Sequence, residues 1–138
     1  MKTKLNLKQS ISAALIAALL AASTNSILFF IFHKAAIITD DIFVGPNMPM
    51  SVLPIIIASI IPTIIGGFVF FLLEKYTNSG FKIFTVLSIS ILIFSFSNPF
   101  MMIPGVTLSY GLALCVMHIV VVAFLLYFLN RSKNKNIV

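Results

Sequence analysis

The chain has no tryptophan, one cysteine and only three acidic residues in 138. Each scarcity excludes something. Charged residues make up 9% of the sequence, against about 25% in a soluble domain, so the chain has too few to cover a water-facing surface. An ordinary soluble enzyme, a disordered tail and a nucleic-acid-binding module are excluded on that ground. A lone Cys115 excludes an intrachain disulfide. It lies inside an apolar run, where it reads as a small packing residue. No phosphate-binding glycine loop occurs, because Gly66-Gly67 is an isolated pair.

What is present is apolar: 60% of the residues are hydrophobic and the mean hydropathy is +1.15. Four segments contain no Asp, Glu, Lys or Arg: Ile11–Phe32, Val52–Leu73, Ile83–Ile103 and Leu108–Leu129. Each holds 21 or 22 residues, and about 20 residues of helix cross a hydrocarbon core of about 30 Å. The last two come from one uncharged stretch, Ile83–Asn130, which Asn98-Pro99 and Pro104-Gly105 divide. Either proline could end the third span. Backbone groups in lipid must bond within their own segment, which makes the spans helical. The runs do not alternate polar and apolar residues as a membrane barrel would. The expectation is an all-α, four-helix transmembrane bundle forming one integral membrane domain over 1–138, with a basic tail over 130–138.

The net charge of +6 is distributed as a topology signal. Lys2, Lys4 and Lys8 precede the first span. Lys75 and Lys82 fall in the second loop with Glu74, and Arg131, Lys133 and Lys135 follow the fourth span. Only Lys34 falls in the first loop, with Asp40 and Asp41. The positive-inside rule then puts both the N-terminus and the C-terminus in the cytoplasm. The membrane expected is a bacterial inner (plasma) membrane. Tyr76, Tyr110 and Tyr127 fall near the expected span ends, where amphipathic rings favour the interface. A cleaved signal peptide is the rival for the first span, but its apolar run continues through Ile27–Phe32, beyond the usual 7–15 residues. The first loop, Ala35–Ser51, carries Ile42-Phe43-Val44, a segment suited to the membrane interface.

Small residues mark the faces that pack, since apolar burial does not drive helices together in lipid. Ala14, Ala18, Ala21 and Asn25 share one face of the first helix, and Ser59, Thr63 and Gly67 one face of the second. Ser88, Ser95 and Asn98 form a looser set on the third helix. Gly111, Cys115 and His118 are spaced along the fourth. At 1.5 Å per residue, His118 and Pro62 come near the midplane, and Asn25 and Asn98 lie roughly 21–23 Å from one end of their helices. Asn25, Pro62, Asn98 and His118 are therefore the candidate intramembrane polar site.

His118 can relay a proton, sense pH or join helices by hydrogen bonds. The structural alternative is a neutral imidazole bonded to Asn25, Asn98 or a serine. The two asparagines serve equally as interhelical glue or as the lining of a small polar cavity. Pro62 removes the N–H that would serve the Ala58 carbonyl, leaving either a kink or a ligand contact. His33, Asp40 and Asp41 match no zinc or calcium spacing. With no acid inside a span, carboxylate-driven proton exchange lacks its acid, and no nucleophile–base–acid triad can be assembled. No catalytic residue, metal site or cofactor is expected.

The residues carry one resemblance. An Asn in an Ala-rich first helix (Asn25) precedes a second helix with Pro54, Pro62 and Gly66-Gly67. The third helix ends in Ser95-Phe96-Ser97-Asn98-Pro99, and the fourth has Met117-His118 within Leu114–Val122. In this order they resemble a bacterial family of small four-helix membrane proteins known only as a domain of unknown function. The resemblance covers nearly the whole chain and implies four helices and a shared Met-His position; it brings no activity or cofactor. The chain departs from it in its Ile and Phe content, its weakly basic second loop and its lack of tryptophan.

Two functional classes follow. One is a structural or interaction protein with a hydrogen-bonded polar core, whose partners are membrane lipids and either a second copy of the chain or a membrane partner protein. The other is a small transporter, channel or pH sensor with a hydrated cavity around His118, Asn25 and Asn98. A pocket reaching His118 favours the second, and a fully bonded histidine favours the first.

Overall fold

A computed structural model describes residues 4–135; Lys2 and residues 136–138 of the basic tail lie outside the described residues. The elements in order are α1 (Leu7–Lys34), β1 (Phe43–Gly45), β2 (Met48–Pro49), α2 (Val52–Tyr76), α3 (Gly80–Ser95), α4 (Asn98–Met102) and α5 (Leu108–Lys135). α3 and α4 together make one span, Gly80–Met102, so the described residues include four helical segments long and apolar enough to cross a membrane.

The helices run past the uncharged segments because their ends have polar caps. α1 begins at Leu7 because Asn6 closes a capping box. Its side chain accepts from the Gln9 backbone N–H, and Gln9 Oε1 accepts from the Asn6 N–H. α2 runs on to Tyr76, where Thr77 Oγ1 donates to the Leu73 carbonyl at 2.6 Å and Lys4 Nζ donates to the Thr77 carbonyl at 3.0 Å. The turn into α3 is tight. A Cβ on Gly80 would stand 2.7 Å from the Glu74 backbone nitrogen, so only glycine permits this approach.

Both prolines shape the third span. Pro99 cannot donate back to Ser95, and the chain tightens at Phe96 and Ser97 with bonds to the carbonyls three residues back. One helical turn, α4, follows to Met102. Pro104 and Gly105, at φ +73°, then reverse the chain.

α1 and α3 sit on opposite sides of the α2–α5 pair: α1 packs against α2 and α5, and α3 packs against the same two. Six of the nine buried residues of α1 are alanine (Ala13, Ala14, Ala17, Ala18, Ala21, Ala22), which lets α2 and α5 approach closely. α2 answers with Ser59, Thr63 and Gly67, all buried. The outward faces carry exposed Leu, Ile, Val and Phe, such as Leu19, Ile27, Ile61, Ile65, Val86 and Phe94, the surface a bilayer requires.

The interior has two apolar clusters. At the end bearing both chain termini, Leu5, Ala14, Phe70, Phe84, Leu125 and Leu129 pack together. Phe70 and Phe84 meet edge to face, with ring centres 5.3 Å apart. At the opposite end the α1–α2 loop folds back over the bundle. Its Ile38 and Ile42 are buried against Phe29, Ile55, Tyr110 and Met117. Of the segment expected at the interface, Ile42 is therefore inside the bundle and Phe43 exposed. β1 and β2 form a short antiparallel hairpin closed by Pro46 and Asn47. Asn47 has φ +54°, a left-handed conformation that asparagine adopts more readily than most residues.

Candidate functional site

Between the two clusters the bundle does not close. α2 and α3 are held at the terminal end by Phe70, Phe81 and Phe84. Towards the hairpin end they border a cavity of about 360 Å³, lined mainly by α2, α3 and α5, with Asn25 contributed by α1 and Met50 by the loop. The wall is largely aliphatic: Ile55, Leu92, Leu114, Val121 and Val122. Ala58, Pro62 and Ile91 belong to the lining yet are exposed. They mark a mouth on the side of the bundle between α2 and α3, on the surface that faces lipid.

Three of the four polar candidates line this cavity: Asn25, Pro62 and His118. Asn98 does not. The tightening at Phe96–Ser97 makes it the first residue of α4, where it is exposed. The expected meeting of Asn98 with Asn25 and His118 therefore does not occur, because counting depth along a straight helix ignores that break. Ser59 and Ser95 supply the polar atoms instead.

Asn25 is 1% exposed. Its Nδ2 donates to Ser59 Oγ at 3.0 Å and to the Met117 carbonyl at 3.1 Å, tying α1 to α2 and α5. Ser59 Oγ passes its own hydrogen to the Ile55 carbonyl at 2.8 Å. A backbone carbonyl only accepts, so the atom facing Met117 must be the amide nitrogen. Asn25 Oδ1 is then left buried, without a hydrogen-bond partner among the described residues.

His118 is half-buried, and its Nδ1 lies 2.7 Å from the Leu114 carbonyl one turn earlier. The carbonyl again fixes the donor: Nδ1 carries the hydrogen. In the neutral imidazole Nε2 is then an acceptor, and no hydrogen bond to it is made among the described residues. Pro62 has no N–H to return to Ala58, so that carbonyl lacks its usual helical donor. Cys115 is buried, with Sγ 3.7 Å from the Phe96 carbonyl, a weak contact in keeping with a packing role.

Two polar features are not legible in the sequence. Glu74, expected in the second loop, is in α2 and 2% exposed, and Lys133 of α5 pairs with it at 2.6 Å. Tyr110, expected as an interfacial ring, is wholly buried under the α1–α2 loop, with no partner for its hydroxyl among the described residues. His33 Nε2 and Asp40 Oδ1 lie 3.1 Å apart at the surface, within hydrogen-bond distance.

The chain belongs to DUF6069, a family of unknown function, whose pattern matches residues 6–135. No curated protein and no solved structure matches the chain.

Proposed function

We propose that this multi-pass membrane protein takes a small lipid-soluble molecule from the bilayer into the cavity between α2, α3 and α5, as a carrier or sensor and not as an enzyme. The observation that carries this reading is the mouth at Ala58, Pro62 and Ile91, which opens sideways onto the lipid-facing surface. Water-filled transport sites are lined by polar groups; this one is mostly aliphatic, with polar atoms only at isolated points. A volume of about 360 Å³ falls at the small end of ligand pockets.

The structural reading has its own support. Asn25 alone fastens three helices, and a polar core of that kind fixes helix register for a protein that works through a second copy or a membrane partner. It does not account for a cavity that opens sideways onto the lipid-facing surface beside the fastening, which is why the binding role is preferred.

Orientation follows from charge. Among the described residues, Lys4, Lys8, Lys75, Lys82, Arg131, Lys133 and Lys135 lie at the end of the bundle that bears the termini, and Lys34 alone at the other. That asymmetry supports cytoplasmic termini, and the membrane we propose is a bacterial inner membrane.

The absence of tryptophan provides the test. An Ile91→Trp variant places a fluorophore at the mouth, and Leu19→Trp places a control on the outward face of α1. In liposomes, 1-bromohexane should quench the mouth fluorophore saturably and the α1 control only in proportion to its membrane concentration. Proportional quenching of both would overturn the binding role.

A further inference from the structure

We infer that the cavity selects a neutral hydroxyl-bearing amphiphile, whose O–H is received by His118 Nε2. This rests on the binding role just proposed and adds the chemistry of the head group.

The argument is an inventory of donors. Four side chains with nitrogen or oxygen line the cavity: Asn25, Ser59, Ser95 and His118. Each has already given its hydrogens to the protein. Both Asn25 Nδ2 hydrogens go to Ser59 Oγ and the Met117 carbonyl. Ser59 Oγ donates to the Ile55 carbonyl, and Ser95 Oγ donates to the Leu92 carbonyl at 2.7 Å. His118 gives its Nδ1 hydrogen to Leu114.

What remains is acceptors: His118 Nε2, the lone pairs of Ser95 Oγ, the Ala58 carbonyl freed by Pro62, and Asn25 Oδ1 beneath the surface. A site that can only accept leaves a ketone, an ester or a carboxylate without a partner, and an unpaired polar head in an apolar cavity is disfavoured. A donor head is satisfied. No acidic residue lines the cavity to neutralise an ammonium, so the donor is uncharged, and a hydroxyl on an apolar body meets the requirement. Asn25 Oδ1 has an atomic exposure near zero, and Ser95 sits on the α3 wall. His118 and Ser95 are both half-buried; the imidazole nitrogen is the most basic acceptor of the set, and the hydroxyl is assigned to it on that ground.

The experiment extends the Ile91→Trp reporter to four quenchers with one chain length: 6-bromohexan-1-ol, 1-bromohexane, 6-bromohexan-2-one and 6-bromohexanoate. Each is referred to its membrane concentration through the Leu19→Trp control. The alcohol should bind about two- to tenfold more tightly than bromohexane, the worth of one net hydrogen bond, with the ketone and carboxylate no tighter than the alkane. His118→Leu should abolish that advantage, bringing the alcohol to the affinity that bromohexane shows in the same variant. As a readout that needs no substitution at the site, hexan-1-ol but not hexane should move the Nε2 nitrogen resonance of His118. Equal saturable binding of all four quenchers, or tighter binding of the ketone or carboxylate, would overturn the head-group assignment and leave the binding role standing. An alcohol advantage that survives in His118→Leu would overturn the role of His118. No saturable quenching by any of the four would remove the binding role itself.

Discussion

Asn25 Nδ2 lies 3.0 Å from Ser59 Oγ, and Ser59 hands its own hydrogen to Ile55. The direction of this relay is fixed by the carbonyls at its ends, so the amide has one orientation. Asn25→Leu loses two interhelical hydrogen bonds, each about 0.6 kcal/mol in a membrane, and also removes the unpaired Oδ1. Its net cost should be about 1 kcal/mol or less. Asn25→Asp sets a carboxylate against two acceptors and should cost about 3 kcal/mol, the penalty for an acid at the centre of a span. Unfolding in dodecyl sulfate titrations, followed by circular dichroism, should rank wild type above Leu and Leu above Asp.

Adjacent glycines of α2 should respond differently to alanine. A Cβ at Gly67 would overlap the Ala14 Cβ and stand 3.2 Å from the Ser10 carbonyl, so α1 and α2 must separate. Overpacking of this kind costs about 1–3 kcal/mol. A Cβ at Gly66 would meet Leu125 Cδ2 at 2.7 Å, the far end of a side chain that can turn aside, and Gly66→Ala should cost less than about 1 kcal/mol. The same titration separates the two, and equal losses would refute the assigned contacts.

Glu74 and Lys133 form a pair whose side chains are 3% and 16% exposed. Removing one partner strands the other, at about 3 kcal/mol. Lys133→Met should therefore destabilise strongly, whereas the Glu74→Gln, Lys133→Met double variant should recover most of the loss. A double-mutant cycle measures this. Additive losses would mean the pair is solvated in the bilayer.

Much of the bundle is legible in the sequence, for a physical reason: a span without formal charges identifies itself by length. Depth and face bring Asn25, Pro62 and His118 towards one part of the bundle, but the cavity that all three line is not announced by them. Asn98 cannot be placed that way, since the Phe96–Ser97 tightening depends on how Pro99 and the neighbouring serines share carbonyls. Ser95 and Ser97 donate to the carbonyls of Leu92 and Phe94, three residues back. Glu74 is hidden for a different reason: a charge ends an uncharged run but need not end a helix. α2 continues past the apolar segment, and Lys133 meets the acid there. The burial of Ile38, Ile42 and Tyr110 depends on a loop folding back over the bundle, a tertiary event that no periodicity announces.

Tyr110 should be better as phenylalanine. Its ring fills the cluster under the loop, while its hydroxyl is buried with no partner among the described residues. A buried unsatisfied hydroxyl costs about 1–3 kcal/mol, so Tyr110→Phe should leave stability unchanged or raise it by about 1 kcal/mol in the same dodecyl sulfate titration. A loss on that scale would reveal a partner for the hydroxyl, such as an ordered water.

Orientation decides which leaflet supplies the cavity. The mouth lies in the half of the bundle nearer the hairpin, away from the end that carries Lys4, Lys8, Lys82 and Arg131. With Cys115→Ala as background, a cysteine at Met48, exposed in the hairpin, should react with an impermeant maleimide on intact cells. A cysteine at Asn134, exposed near the end of α5, should react only after permeabilisation. That pattern makes the cavity open to the outer leaflet, so its ligand would enter from the periplasmic half of the bilayer. The reverse pattern would contradict the charge asymmetry and move the mouth to the inner leaflet. The ligand would then be sought among lipid-soluble molecules made in the cytoplasm.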